Sequence, residues 1–133
     1  MGLVLDTCIF IRAEKENKTI NFNQWESYGE VFISVITVSE LLMGVHRANT
    51  KARKIRRTAF VEAIINEIPI IDFTTDTARI HAEIYAVLAD QGKLIGAHDM
   101  LIAATALTYG HALLTANHQE FSRVPGLKVL RQV

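Results

Sequence analysis

The stretch GAHDMLIAATAL, residues 96–107, is apolar at nearly every position after Asp99. A helix that is apolar on all sides is normally buried, so this stretch predicts a helix at the centre of a domain. Asp99 stands at the start of this helix, although carboxylates are rarely buried without a partner. The rest of the chain should therefore supply both a surrounding core and a reason for the buried charge.

Short apolar runs alternate with helical patterns along the chain. Continuous apolar runs are typical of buried strands, and they occur at 2–5, 31–36, 69–73, 111–115 and 127–132. A short helical segment passes through Ile11 and Ala13. Helical spacing also predicts a helix capped by Thr37 or Ser39, one from Thr50 to about Asn66, one ending near Gly92 and one stopping at Gly110. This alternation predicts an α/β fold of three layers, with a central, mainly parallel sheet of four to five strands flanked by helices.

Length and composition limit the functional classes. The 133 residues suit one domain, and 14 basic residues balance 14 acidic ones. Zero net charge means that nucleic-acid binding would need basic residues segregated on one surface. The chain starts without a basic leader, and no apolar stretch reaches the roughly 18 residues of a membrane span. The single cysteine, Cys8, suits a reducing compartment, so we predict a soluble, cytoplasmic protein with Cys8 in its core.

Acidic residues follow the predicted strands at the edge where ligands bind in open α/β sheets. Asp6 directly follows the first strand, and Glu40 lies in the first helical turn after the second. Asn117 and Glu120 follow the fourth strand, and Asp99 opens the helix that leads into it. Any one of these acids could be a helix cap, a dipole partner or a surface group. Those roles explain poorly why four acids gather at one edge.

Repulsion among these carboxylates calls for a compensating proton or cation. Two carboxylates about 4 Å apart repel by about 4 kcal/mol at an effective dielectric of about 20, against a domain stability of roughly 5–15 kcal/mol. Hard oxygen ligands favour Mg²⁺ or Mn²⁺. His98 and His118 adjoin the acids and leave a zinc site or a histidine base open, although neither has familiar zinc-ligand spacing.

Four blocks of the sequence resemble, in order, the motifs of PIN-domain ribonucleases. They are LVLDTCIFI (3–11), TVSELLMGV (37–45), GAHDMLIAATAL (96–107) and TANHQEF (115–121). The resemblance is closest to the VapC branch, the toxins of VapBC toxin–antitoxin pairs. It implies a single PIN-like nuclease domain over residues 1–133.

The resemblance also implies roles for individual residues. The metal-site and catalytic carboxylates of the family fall on Asp6, Glu40 and Asp99, and Thr7 matches a hydroxyl residue that supports the first of them. The fourth position stays open between Glu120 and Asn117. The implied activity is that of a Mg²⁺-dependent endoribonuclease acting on structured RNA, either tRNA or ribosomal RNA, with Mn²⁺ as a substitute metal.

A basic segment supports an anionic substrate. Residues 47–57, RANTKARKIRR, contain no acid and six cations: Arg47, Lys51, Arg53, Lys54, Arg56 and Arg57. We predict that this segment contacts the RNA backbone, with a solvated helix face as the alternative. Trp25 and Tyr28 either stack on bases or pack on the core. The family also implies a homodimer and a VapB-type antitoxin, with Leu42 and Met43 as candidate contacts.

Two other functions remain open from the sequence. A phosphohydrolase would use Asp6 as a covalent nucleophile, but that chemistry commonly needs a second aspartate two residues later, where Cys8 stands. A catalytically inactive PIN-like module would bind RNA or a partner without cleavage. The presence of Asp6, Glu40 and Asp99 favours the nuclease.

Overall fold

A five-stranded parallel sheet forms the centre of the computed structural model, which describes residues 2–18 and 23–132. The strands are β1 (Leu3–Leu5), β2 (Val31–Ser34), β3 (Ile70–Ile71), β4 (Ala112–Thr115) and β5 (Val129–Arg131). Their order across the sheet is β3-β2-β1-β4-β5, and every neighbouring pair is parallel. The predicted domain of residues 1–133 includes Met1, residues 19–22 and Val133, which lie outside the described residues.

Helices cover both faces of this sheet. They are α1 (Thr7–Lys15), α2 (Val35–His46), α3 (Lys51–Glu67), α4 (Thr75–Asp90), α5 (Ala97–Thr108) and α6 (His118–Phe121), and a 3₁₀ helix spans Asn23–Tyr28. Neighbouring side chains of a strand point to opposite faces of the sheet. Accordingly, Leu3 and Leu5 pack in one core with α1, α2 and α3, whereas Val4 packs in a second core with α4 and α5. The predicted three-layer α/β fold is confirmed, and the two cores explain why the strands are apolar at consecutive positions.

The helix predicted from residues 96–107 is buried as expected. Six of the twelve residues of α5 are at most 2% exposed, namely Met100, Ile102, Ala103, Ala104, Thr105 and Ala106. Gly110 follows its end with a φ of 66°, in the left-handed region that glycine adopts without strain. Gly92 ends α4 in the same way, with a φ of 65°. Both predicted helix ends are therefore confirmed.

The helix that contains the second sequence block, residues 37–45, begins earlier than predicted. Strand β2 ends at Ser34 instead of residue 36, because the Ser34 hydroxyl accepts a hydrogen bond from the Ile36 N–H at 3.0 Å and caps α2. Thr37 and Ser39 therefore lie inside the helix and do not cap it. Glu40 consequently lies in the second turn of α2, not the first as predicted. The helix dipole acts mainly on the first turn, so it explains little of why an acid stands there.

The observed ends of the remaining helices and strands differ from the predicted ends by a few residues. Thr50 caps α3 as predicted, and Val61 and Ile64 form its buried side, with Phe60 and Ile65 only partly buried. Strand β3 is limited to two residues.

Trp25 and Tyr28 are partly buried and pack against the core that contains α1, α2 and α3. The Lys128 ammonium lies 4.9 Å above the Tyr28 ring. These contacts favour packing over base stacking. Within residues 2–18 and 23–132, none of the helices has the length and apolar character needed to cross a membrane.

Candidate active site

Four acidic residues from separate segments lie near the end where the parallel strands finish. Asp6 follows β1, Glu40 lies in α2, Asp99 lies in the first turn of α5 and Glu120 lies in α6. Burial and the negative charges of Asp6, Glu120 and Glu40 together raise the pKa of Asp99 to about 6. Because all three charges act on one carboxyl group, the chain has brought acids from four separate segments into a single cluster.

Asp6 is the most enclosed member of this cluster, since it is only 4% exposed. Its Oδ1 accepts the Thr7 N–H at 2.8 Å, which also makes Asp6 the N-cap of α1. Its Oδ2 accepts the Thr115 hydroxyl at 2.7 Å and the Cys8 thiol at 3.2 Å. These three donors are all neutral. They hold the carboxylate in place without compensating its negative charge.

Thr7 connects two of the acids. Its hydroxyl donates to Glu40 Oε1 at 2.7 Å and lies 3.0 Å from the buried Thr37 hydroxyl. The hydroxyl therefore supports the second carboxylate, whereas the sequence assigned it to the first. Only the backbone N–H of Thr7 reaches Asp6. The other oxygen of Glu40, Oε2, lies 3.5 Å from the Nδ1 atom of His98, a half-exposed ring at the rim of the cluster.

Asn117 and Glu120 form a pair at the fourth position. The Asn117 amide Nδ2 donates to Glu120 Oε2, and both side chains are half-buried. Phe121 anchors this short helix, since its ring is fully buried in the core beside α5. His118 contacts Ser122 within the same turn. The sequence presented Glu120 and Asn117 as alternatives, and the structure shows the amide orienting the carboxylate.

The donor chemistry of the cluster fits a hard divalent cation. No group of three His, Cys, Asp or Glu side chains in the described ranges is already drawn together in the manner of a formed metal site. However, the cluster offers several carboxylates, and their negative charges add to burial in raising the pKa of Asp99. A cation among these oxygens would relieve that repulsion, and oxygen donors favour Mg²⁺ or Mn²⁺ over Zn²⁺.

Cys8 stays protonated at this site. Burial and the negative charge of Asp6 together raise the pKa of its thiol to about 11. A protonated thiol is a poor nucleophile, so covalent catalysis by Cys8 is not supported. It remains available as a hydrogen-bond donor.

The basic segment divides into two sets. The Arg57 guanidinium binds Glu14 Oε1 at 3.0 Å and the Gly44 carbonyl oxygen at 2.8 Å, and so joins α3 to α1 and α2. Arg53 donates to the Asn49 side chain at 3.0 Å. Five of the six cations of the segment are exposed, namely Arg47, Lys51, Arg53, Lys54 and Arg56. Arg57 is therefore occupied by structural contacts, although the sequence placed it among the RNA-binding residues.

Known proteins match this chain along nearly its whole length. The model of the PIN domain matches residues 3–127. The chain is 42% identical to ribonuclease VapC1 of Rickettsia felis over 130 residues, which cover 98% of this chain and 96% of that protein. It is 34% identical to the tRNA(fMet)-specific endonuclease VapC of Salmonella typhimurium over 125 residues, which cover 93% of this chain and 91% of that protein.

Solved structures give the same result for the fold. The crystal structure of VapBC2 from Rickettsia felis, bound to a DNA fragment from their promoter, contains a chain that matches with a TM-score of 0.89. The two chains are 27% identical, and the match covers 100% of each. The sequence blocks, the parallel sheet and these relatives agree, and the chain belongs to the VapC branch of the PIN-domain family.

Proposed function

We propose that this protein is a Mg²⁺-dependent endoribonuclease that acts as the toxin of a VapBC-type pair and hydrolyses phosphodiester bonds in structured RNA, either tRNA or ribosomal RNA. The observation that carries the proposal is the gathering of Asp6, Glu40, Asp99 and Glu120 where the strands end, with Thr7 joining Asp6 to Glu40 by two hydrogen bonds. The ribonuclease names of the relatives support the reaction class.

The proposed roles follow from the position of each side chain. Asp6, Glu40 and Asp99 would hold the cation, and Glu120, oriented by Asn117, would complete the set. When bound, the cation would activate a water molecule for in-line attack on the phosphodiester and stabilise the charge that develops on the phosphate. Thr7 holds Asp6 through its N–H and Glu40 through its hydroxyl, so it keeps the spacing of two ligands fixed.

Cleavage of RNA by the purified protein should depend on both the metal and Asp6. With bulk tRNA or ribosomal RNA as substrate, excess EDTA should stop cleavage, and added Mg²⁺ or Mn²⁺ should restore it. Asp6→Asn should lower the rate by about 100-fold or more, because a metal ligand contributes several kcal/mol to transition-state stabilisation. The products are resolved by gel electrophoresis and their ends by sequencing.

Asp90→Asn is the matched control for this experiment, since Asp90 is an exposed acid at the end of α4, outside the cluster. It should cleave like the wild type. Equal cleavage by wild type and Asp6→Asn would exclude the proposed site. RNA binding without cleavage by either protein would instead favour the inactive binding module.

The exposed part of the basic segment is proposed to contact the RNA backbone. Arg56→Gln should weaken RNA binding for all sequences alike and reduce the slope of log K against log salt by about 1, as expected for one lost phosphate contact. Arg79→Gln is the control, because Arg79 is an exposed arginine on α4, in the layer across the sheet from α3. Filter binding across a salt series measures the RNA affinity and its salt dependence for each variant. Equal slopes for the two variants would identify the segment as a solvated helix face.

We also propose that a VapB-type antitoxin and a second copy of the chain bind this protein. Support for the antitoxin comes from the outer side of α2, where a groove of about 540 Å³ is lined largely by apolar side chains. Met43 is 47% exposed there, and Leu42 is partly buried beside it. A solved relative is a VapBC complex. An amphipathic segment of the antitoxin would suit such a groove.

A further inference from the structure

Two successive backbone N–H groups in the turn after β4 are connected to the Asp6 carboxylate by hydrogen bonds, each through a different side chain. The Ala116 N–H donates to Cys8 Sγ at 3.4 Å, and the Cys8 thiol donates to Asp6 Oδ2 at 3.2 Å. The Asn117 N–H donates to Thr115 Oγ1 at 2.9 Å, and the Thr115 hydroxyl donates to Asp6 Oδ2 at 2.7 Å. We call each of these chains of two hydrogen bonds a relay. The two relays run side by side, with Cys8 Sγ and Thr115 Oγ1 separated by 3.6 Å.

The direction of the proton in the second relay is fixed. A hydroxyl group has one proton to donate. The Asn117 N–H occupies an acceptor position of the Thr115 oxygen, while Asp6, a carboxylate, can only accept. The Thr115 proton is therefore directed to Asp6. Hydrogen bonds to an ionised acceptor are roughly twice as strong as those between neutral groups, so this contact holds the carboxylate firmly.

Water cannot easily replace the Thr115 hydroxyl as a donor to Asp6. Thr115 is fully buried and Asp6 is 4% exposed. Both relays end on the same oxygen, Oδ2, whereas Oδ1 is held by the Thr7 N–H. The rotation of the carboxylate is thereby fixed, and its position is linked to the turn that also carries Asn117.

We propose that Cys8 and Thr115 are positioning residues, which orient Asp6 for metal binding through two parallel relays from the turn between β4 and α6. The proposal rests on the proposed role of Asp6 as a metal ligand. Cys8 acts here as a neutral thiol donor and takes no part in covalent chemistry. Both side chains act through Asp6, so the expected effect is on metal affinity and not on RNA affinity.

The test is the affinity of the full chain for Mn²⁺ without RNA, measured by isothermal titration calorimetry. Thr115→Val keeps the shape and removes the donor, and we expect it to raise the Kd by about 10- to 100-fold, as for other groups that support metal ligands. Thr115→Ser keeps the hydroxyl and should stay within about threefold of the wild type. The RNA KM of Thr115→Val at saturating Mn²⁺ should be unchanged. A purely structural role would not predict rescue by serine.

Cys8 supplies a second pair of variants, in which Thr115 itself is unchanged. Cys8→Ala should raise the Mn²⁺ Kd by a smaller factor, about 3- to 10-fold, because a thiol is a weaker donor than a hydroxyl. Cys8→Ser should bind Mn²⁺ like the wild type. Cys8 is only half-buried, so both variants should fold. Thermal unfolding is recorded for every variant.

Asp6→Asn separates failure of this proposal from failure of the proposed function. Loss of Mn²⁺ binding in Asp6→Asn, with wild-type Kd values in Thr115→Val and Cys8→Ala, would overturn the relays alone. Wild-type binding by Asp6→Asn would overturn the metal role of Asp6 and the relays with it. Equal losses in Thr115→Val and Thr115→Ser would also reject the relays, because the retained hydroxyl would then have no effect.

Discussion

Replacing Asp99 with asparagine should abolish RNA cleavage and, at pH 7.5 in EDTA, make the protein more stable than the wild type. Cleavage should fall by about 100-fold or more, because the substitution removes a proposed metal ligand. Stability should rise because burial and the charges of Asp6, Glu120 and Glu40 disfavour the ionised form of Asp99. Asparagine has nearly the same shape without the charge.

The direction of this stability difference and the pH range in which it appears follow from the pKa of Asp99. The folded protein raises the pKa of Asp99 from its ordinary value of 3.8 to about 6, so the folded state binds this proton more tightly than the unfolded state does. Stability is therefore lost as the pH rises from about 4 to 6, and the full penalty is present above that range. The rise in the pKa of Asp99 from 3.8 to about 6 corresponds to about 3 kcal/mol of unfolding free energy, which solvent screening of this partly exposed group reduces to about 1–2 kcal/mol.

Urea unfolding of both proteins at pH 7.5 and at pH 3.5 measures this difference. The variant should exceed the wild type by about 1–2 kcal/mol at the higher pH and match it at the lower one. Saturating Mg²⁺ should raise the unfolding free energy of the wild type only. A variant less stable than the wild type at pH 7.5 in EDTA would contradict the repulsion on which the site is built.

Truncation of Leu114 should be the most damaging change to the fold. Leu114 is fully buried in β4, between Leu5 of β1 and Leu130 of β5. Leu114→Ala should lower the free energy of unfolding by about 3–4 kcal/mol, through lost apolar burial and the cavity left behind. That is a large share of a domain stability of roughly 5–15 kcal/mol. Chemical denaturation measures the change.

Leu94→Ala provides the matched control, because Leu94 is 43% exposed in the loop before α5. It should change the free energy of unfolding by about 0.5 kcal/mol or less. A similar loss in both variants would mean that burial in the central strand does not determine stability here.

The layered fold could be predicted because each buried strand is a continuous apolar run. The end of β2 could not be placed in the same way. Val35 and Ile36 prolong the apolar run beyond Ser34, but the cap formed by Ser34 favours a helix from Val35 onward. Apolar character alone does not distinguish a strand from the first turn of a partly buried helix. The strand order also depends on packing partners that are distant in sequence.

The clustering of acids could be predicted from their positions after strands, whereas their supporting contacts could not. Thr115 was not selected from the sequence, although a signal was present. Once β1 is paired with β4 so that Leu5 lies opposite Leu114, the next residues, Asp6 and Thr115, must be neighbours. The sequence did not provide that register. Similarly, the contacts of Arg57 with Glu14 and Gly44 depend on the packing of three helices.

The central pairing of β1 with β4 affects when this protein can first become active during synthesis. The Asp6–Thr115 hydrogen bond joins residues separated by 109 positions, and the Asn117–Glu120 pair lies further along the chain. A nascent chain that has not yet been extended to Thr115 therefore lacks this hydrogen bond to Asp6, and it also lacks Glu120, one of the four acids of the cluster. Translation products that stop before Thr115 therefore cannot assemble the proposed site as the structure shows it.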